Sequence, residues 1–258
     1  MSTLDGLLLR AYREGVECTL VELRAFPDFK ELGLMTAIRA IGDKIESEGL
    51  KLHPPIEEGE FDQVRVLARA ETPESFMLAA QRALEEGESS LVEFKESLYL
   101  KKKLYGNASI EARHWVGEEI IFEIIATICS FLNGDGGTLL VGVNDDGEVI
   151  GIDCELEFIP GKSKTLDNWE LFFSNCLEKY IYDFKCCLGY SKRKIIEKDG
   201  KHICVIIVNK RDSALTVCQG ISEKDSEKVF VRNGNGKAEI KARAIEQLVL
   251  ARFNSKNS

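Results

Sequence analysis

Nothing in this sequence is built for a membrane or for export. No apolar run reaches the roughly 18–20 residues that span a bilayer. The longest, Thr138 to Val143 and Ile203 to Val208, have the length of strands. The first residues, MSTLDGLLLRAYREG, lack a basic n-region and a small-residue cleavage site, so no signal peptide is expected and the chain reads as cytoplasmic. The eight cysteines form no CxxC pair, which fits buried free thiols rather than a disulfide framework. A weaker pattern is Cys186-Cys187 ahead of His202 and Cys204, which a strand would place on one face. That set is a possible structural zinc clip, although standard ligand spacing is missing. His53, His114 and His202 are too scattered to define an acid–base pair.

The chain has 258 residues, 44% hydrophobic and 30% charged, with a net charge of −9. That is enough chain for a real core, in one large domain or two small ones. The acidity is uneven. Residues 1–90 hold 18 acidic and 10 basic side chains, whereas residues 91–258 hold 25 and 24. A chain of this charge will not coat nucleic acid non-specifically. A local basic groove in the neutral two-thirds remains compatible with it.

Apolar spacing predicts helices at Leu4–Arg13 and Leu34–Ser47, with a capping box at Thr19-Leu-Val-Glu22. A hairpin follows over 50–69. This order predicts an acidic helical or winged-helix-like module over residues 1–71. Its acidity favours protein contact over DNA reading, because phosphate contacts supply most of the affinity for DNA. Residues 72–87 read as a connecting helix starting at Pro73 and ending at Gly87.

Residues 88–253 alternate strands and helices and read as an α/β (mixed α+β) domain, with a frayed tail at 254–258. Strands are expected at Leu91–Lys95, Thr138–Val143, Val149–Ile152, about Cys187–Ile196, His202–Val208 and Val229–Arg232. Helices are expected at Glu118–Leu132, Leu166–Ile181 and Ala238–Phe253. Thr138–Val143 is apolar on both faces, as a central covered strand must be.

Two stretches could carry chemistry. In Glu88-Ser-Ser-Leu-Val-Glu93-Phe-Lys95, two carboxylates converge near one strand, with Lys95 on the same face as Glu93. Carboxylates so placed suit Mg²⁺ or Mn²⁺, and a lysine can hold a phosphate. The bland alternative is an ion pair on a strand face. The second stretch, Gly134-Asp-Gly-Gly137 to Gly147, is not a phosphate loop. It has no Gly-Lys-[Ser/Thr] and leads into a strand. Asp145 and Asp146 lie at that strand's end.

Together with Phe230-Val-Arg232-Asn-Gly, these stretches resemble the Schlafen AlbA-type domain over about residues 85–253. The resemblance implies a sheet flanked by helices and one of two activities. The first is a metal-dependent endoribonuclease cleaving structured RNA, foremost transfer RNA and also ribosomal RNA. Glu88, Glu93 and Asp145 would then hold Mg²⁺ or Mn²⁺ and Lys95 would steady the phosphate. The alternative is a non-catalytic nucleic-acid-binding or transcription-regulatory protein. Asn144 departs from the family's acidic residue at that position. RNA-contacting candidates are Lys101, Lys102, Lys103 and Arg113, then Lys192, Arg193 and Lys194, with Lys210-Arg211 as a further basic pair. A single domain of this type offers about half of an RNA-gripping cleft, so a homodimer is expected. The acidic first module is a candidate protein contact.

Overall fold

The computed structural model describes residues 3–14, 16–57, 60–69, 73–100, 110–211, 214–221 and 227–256. The chain divides into two compact units. The first comprises Met1–Thr72 with Leu188–Tyr190, the second Pro73–Cys187 with Ser191–Ser258. No helix among the described residues is long and apolar enough to cross a membrane.

The first unit runs α1 (Leu4–Glu14), β1 (Val16–Cys18), α2 (Leu20–Arg24), α3 (Pro27–Lys30), α4 (Leu34–Ser47), β2 (Leu50–His53) and β3 (Arg65–Arg69). Its antiparallel sheet has the order β1-β3-β2. A short first strand thus joins the two later strands in one sheet. The capping box forms as the sequence predicts. Glu22 N–H donates to Thr19 Oγ1 at 3.1 Å and Thr19 N–H donates to Glu22 Oε2 at 2.8 Å, so two otherwise orphaned donors are satisfied. Leu20, Leu23, Ala37, Ile41, Leu50 and Leu67 make a continuous core. Arg65 is also buried; its guanidinium donates to the carbonyls of Glu60 and Gln63 and thereby ties the end of the preceding loop to β3.

The second unit begins with α5 (Pro73–Glu86), followed by β4 (Val92–Lys95), α6 (Ile110–Leu132), β5 (Gly137–Val141), a 3₁₀ turn at Asp153–Glu155, α7 (Leu166–Tyr180), α8 (Phe184–Cys187), β6 (Ser191–Lys198), β7 (Lys201–Val208), β8 (Val229–Asn233), β9 (Gly236–Ile240) and α9 (Ala242–Lys256). The main sheet has the order β4-β5-β7-β6. β4 and β5 are parallel, and the other pairs are antiparallel. β5 is an interior strand, which explains its apolar character on both faces. β8 and β9 form a separate hairpin.

Helix α5 does not merely connect the units. Its Phe76, Ala80 and Ala83 pack on Val92, Phe94, Leu140, Ile203 and Val205 of the sheet. Helix α6 packs against β5 and β7. Its end is stitched to the chain that follows β7 by Asn133. The buried Asn133 amide donates to the carbonyls of Thr216 and Phe230, and its oxygen accepts from Thr216 N–H at 2.7 Å. The turn into β5 needs glycine. A Cβ on Gly137 would stand 2.3 Å from the Phe131 ring and 2.7 Å from the Leu91 carbonyl oxygen.

Three expected elements differ. Val149–Ile152 is no strand; it makes one bridge, Val143 to Val149. Ile150 and Gly151 instead both donate to the Gly142 carbonyl. The helix expected from Ala238 starts only at Ala242, because 236–240 pair with β8 as β9. Helix-forming residues there yield to cross-strand pairing. The strand expected from Cys187 starts at Ser191, since 184–187 turn as α8.

A fully buried carboxylate anchors the exit from β4. Glu155 accepts from Ser97 Oγ and Trp169 Nε1, both at 2.6 Å, and from the N–H groups of Leu98 and Tyr99 at 3.0 Å each. Burial pushes its carboxyl above the usual range, opposed by these hydrogen bonds. The folded state thus holds the Glu155 proton more tightly than the unfolded chain, and this contribution to stability falls as pH rises through the raised value. Glu155→Ala leaves several buried donors unpaired and should destabilise by at least about 3 kcal/mol. Urea unfolding followed by circular dichroism measures this, and the variant should also lose the corresponding pH dependence.

Candidate functional site

The candidate site lies along β4, an edge strand that the sequence covers with its own preceding loop. Residues 88–90 fold back beside β4. Ser89 N–H donates to the Val92 carbonyl at 2.9 Å, and the Glu88 carboxylate accepts from Phe94 N–H at 3.0 Å. Both are backbone groups on the side of β4 away from β5. Glu88 therefore satisfies a strand edge that would otherwise be open to pairing.

Glu93 faces the opposite side of the strand from Phe94 and is 8% exposed. Its Oε1 accepts from Lys95 Nζ at 2.6 Å and its Oε2 from Arg232 Nη1 at 3.0 Å. Each oxygen thus has its own cation. Lys95 Nζ also donates to the Phe94 carbonyl at 2.9 Å. Lys95 keeps about a quarter of its side chain exposed, whereas Arg232 keeps 7%.

Arg232 is the residue that site reasoning from sequence missed. It reaches from β8 to the β4 entry loop. Nε donates to the Ser90 carbonyl at 3.1 Å, and Nη2 donates to the carbonyls of Ser89 at 2.7 Å and Asn235 at 3.0 Å. The guanidinium lies 4.8 Å from the centre of the Phe131 ring. The available signal was the Phe230-Val-Arg232-Asn-Gly stretch, read only as a family likeness.

Asp145 sits in the turn beyond β5. The Asn144 side chain organises that turn, accepting from the N–H groups of Asp146 at 3.2 Å and Glu148 at 2.8 Å. Asn at this position is accounted for by this role. Asp145 itself is exposed and makes no hydrogen bond or ion pair among the described residues. A Cβ on Gly147 would lie 3.8 Å from the Phe94 ring. Gly147 of this turn thus lies near the Phe94 ring.

The structure therefore joins Glu93 and Lys95 but does not bring Glu88, Glu93 and Asp145 into one cage. Among the described residues, no group of three His, Cys, Asp or Glu side chains could hold a metal ion. As placed, these acids do not fit a three-carboxylate metal site. The four residues of the zinc pattern are also apart in role. Cys187 Sγ accepts from Arg211 Nη1 at 3.5 Å, and His202 Nδ1 lies 2.6 Å from Asp153 Oδ1. Cys186 is exposed on α8, and Cys204 is buried in β7, where burial pushes its thiol up to about 12.

Of the basic candidates, Lys101, Lys102 and Lys103 lie outside the described residues, as does the side chain of Arg113. Lys192 is 9% exposed. Arg193 donates to Ser174 Oγ and stands 5.5 Å from the Phe173 ring centre. Both belong to the packing of the sheet, and Lys194 is half-buried beside them. Arg211 is buried as well, and Lys210 lies 3.9 Å from Asp135.

The Arg232 contacts make a direct prediction. Arg232→Ala leaves Glu93 buried without half of its compensation and frees three carbonyls. The variant should lose about 3–5 kcal/mol of stability. Arg232→Lys should recover little, since one ammonium cannot serve Glu93 and three carbonyls at once. Denaturant midpoints of the two variants check both statements.

Among solved structures, the chain is similar to the DIP2311 protein from Corynebacterium diphtheriae, with 13% identity and a TM-score of 0.42. That alignment covers 69% of this chain and 29% of the other, so the chain spans under a third of that protein. Among curated proteins, none matches. A family model described as Schlafen, AlbA_2 matches residues 88–241. This match takes in the β4 edge, the glycine turn into β5 and the Arg232 hairpin, and covers more than half of the chain. The chain belongs to the Schlafen, AlbA_2 family.

Proposed function

We propose that this protein binds nucleic acid, specifically structured RNA with transfer RNA foremost, through its second unit, and that Glu88 and Glu93 serve the fold rather than catalysis. The family supports a nucleic-acid-related function. The observation that carries the structural role of the acids is the occupation of Glu93 by Lys95 and Arg232, one on each oxygen. Glu88 is engaged in the same way by the Phe94 amide. The near-neutral charge of residues 91–258 argues against indiscriminate phosphate binding. Recognition of RNA by shape and backbone suits a surface of that charge better than tight DNA coating. A homodimer would complete the cleft, and the acidic first module is left for protein contact.

A second reading is a metal-dependent endoribonuclease acting on transfer or ribosomal RNA. It would use Glu88, Glu93 and Asp145 toward Mg²⁺ or Mn²⁺, with Lys95 on the phosphate. One observation favours it. β4 and β5 are parallel, and Lys95 and Val141 are register partners. Lys95 and the Asp145 turn therefore follow neighbouring carboxyl ends of parallel strands, where open α/β sheets place their ligands, with Glu93 two residues before the end of β4.

Asp145→Ala separates the two readings, because Asp145 is exposed and its removal should leave the fold intact. For binding, fluorescence anisotropy with transfer RNA should show affinity that falls with salt, equal in wild type and variant. RNA incubated with Mg²⁺ or Mn²⁺ should then stay whole, with or without chelator. Chelator-sensitive cleavage that disappears in Asp145→Ala would establish the second reading instead. Absence of RNA binding would refute both. Light scattering of the RNA complex should report twice the monomer mass for the protein component.

A further inference from the structure

The two edges of the main sheet are treated differently. The β4 edge is covered by residues 88–90. The other edge is β6, eight residues long, which among the described residues pairs with β7 alone. Asp199 and Gly200, both with positive φ, form a two-residue turn between these strands. Lys198 and Lys201 are then a hydrogen-bonded pair, and alternate pairs back along the strand are also bonded. The remaining residues, Arg193, Ile195 and Glu197, point their N–H and C=O groups away from β7. Among the described residues none of these groups has a backbone partner.

This edge is also basic. Its partly exposed basic side chains are Arg193, Lys194 and Lys198, beside the exposed Glu197 and with Asp199 of the turn 3.7 Å from Lys198; Lys192 is buried. We propose that the free edge of β6 is a docking edge for an extended acidic segment of a partner protein, which adds to the sheet as a fifth strand. An incoming peptide satisfies outward donors and acceptors alike, with its side chains read alternately on the two faces. RNA does not suit the edge, because phosphates accept hydrogen bonds only and would face the outward carbonyls of β6. A second copy is disfavoured by charge: antiparallel pairing centred on Arg193 and Lys194 would bring the Arg-Lys stretches of two copies to within about 5 Å of each other. An acidic strand removes that repulsion and adds attraction.

The test uses the full-length protein and a fluorescein-labelled octapeptide of alternating Val and Glu. A Val/Lys octapeptide and an octanucleotide RNA serve as counter-probes. The acidic peptide should bind at least tenfold tighter than the lysine peptide, with affinity falling as salt rises. Amide exchange at Arg193, Ile195 and Glu197 should slow on binding. Ile195→Pro removes an outward N–H and no bond to β7, so it should weaken binding at least tenfold with the fold retained. Lys194→Glu, which leaves the backbone unaltered, should weaken it severalfold. Equal binding of both peptides, no binding of either, or unchanged exchange at the three amides would overturn the proposal. So would protection of these amides by the RNA, or protection in the free protein that grows with its concentration, the signature of self-pairing.

Discussion

The second unit depends on one buried guanidinium. Arg232 belongs to the β8–β9 hairpin, a sheet separate from the main one, yet most of its partners are on the β4 side. A lone buried Glu93 would be strongly unfavourable, and so would a lone Arg232. Held together, with Lys95 on the second oxygen, they fix where the hairpin sits and how the 88–90 loop lies. That loop in turn covers the β4 edge through Ser89 and Glu88. Edge protection, hairpin placement and charge compensation are thus one arrangement, and a change at any of its members is felt by the others.

This arrangement explains why motif spacing spoke ambiguously. Glu88 and Glu93 stand five residues apart, which spacing alone reads more readily as an ion-pair face than as metal ligands. In the fold they occupy different sides of the strand's surroundings. Glu88 turns to the backbone edge, while Glu93 turns to the face that Arg232 reaches. The deciding partner comes from 139 residues further along the chain, beyond any local pattern. Lys95 was readable, because strand alternation alone puts it beside Glu93.

Elsewhere, legibility followed how local the deciding interaction is. The Thr19–Glu22 box and the covered strand at 137–141 are set by neighbouring residues, and both were readable. The β9 strand was not. Lys237-Ala-Glu-Ile240 carries helix-compatible residues, and only its pairing with β8 makes it extended. Likewise no sequence pattern singles out Glu155. Its burial follows from Ser97, Leu98, Tyr99 and Trp169 converging on it. Neither composition nor periodicity carries that information.

The sheet's two ends show how the same physical liability can have opposite uses. An open strand edge invites pairing with any extended chain. At β4 the fold removes the invitation with a carboxylate and a folded-back loop, and it uses an acid of the family motif to do so. At β6 no such cover exists among the described residues; the strand carries lysines and an arginine instead. Basic side chains on an edge discourage pairing with copies of the same chain while leaving an oppositely charged strand free to add. The charge of β6 therefore acts as a filter on partners, and the motif acid Glu88 acts as a seal. Both follow from the need to satisfy backbone hydrogen bonds at the margins of a four-stranded sheet.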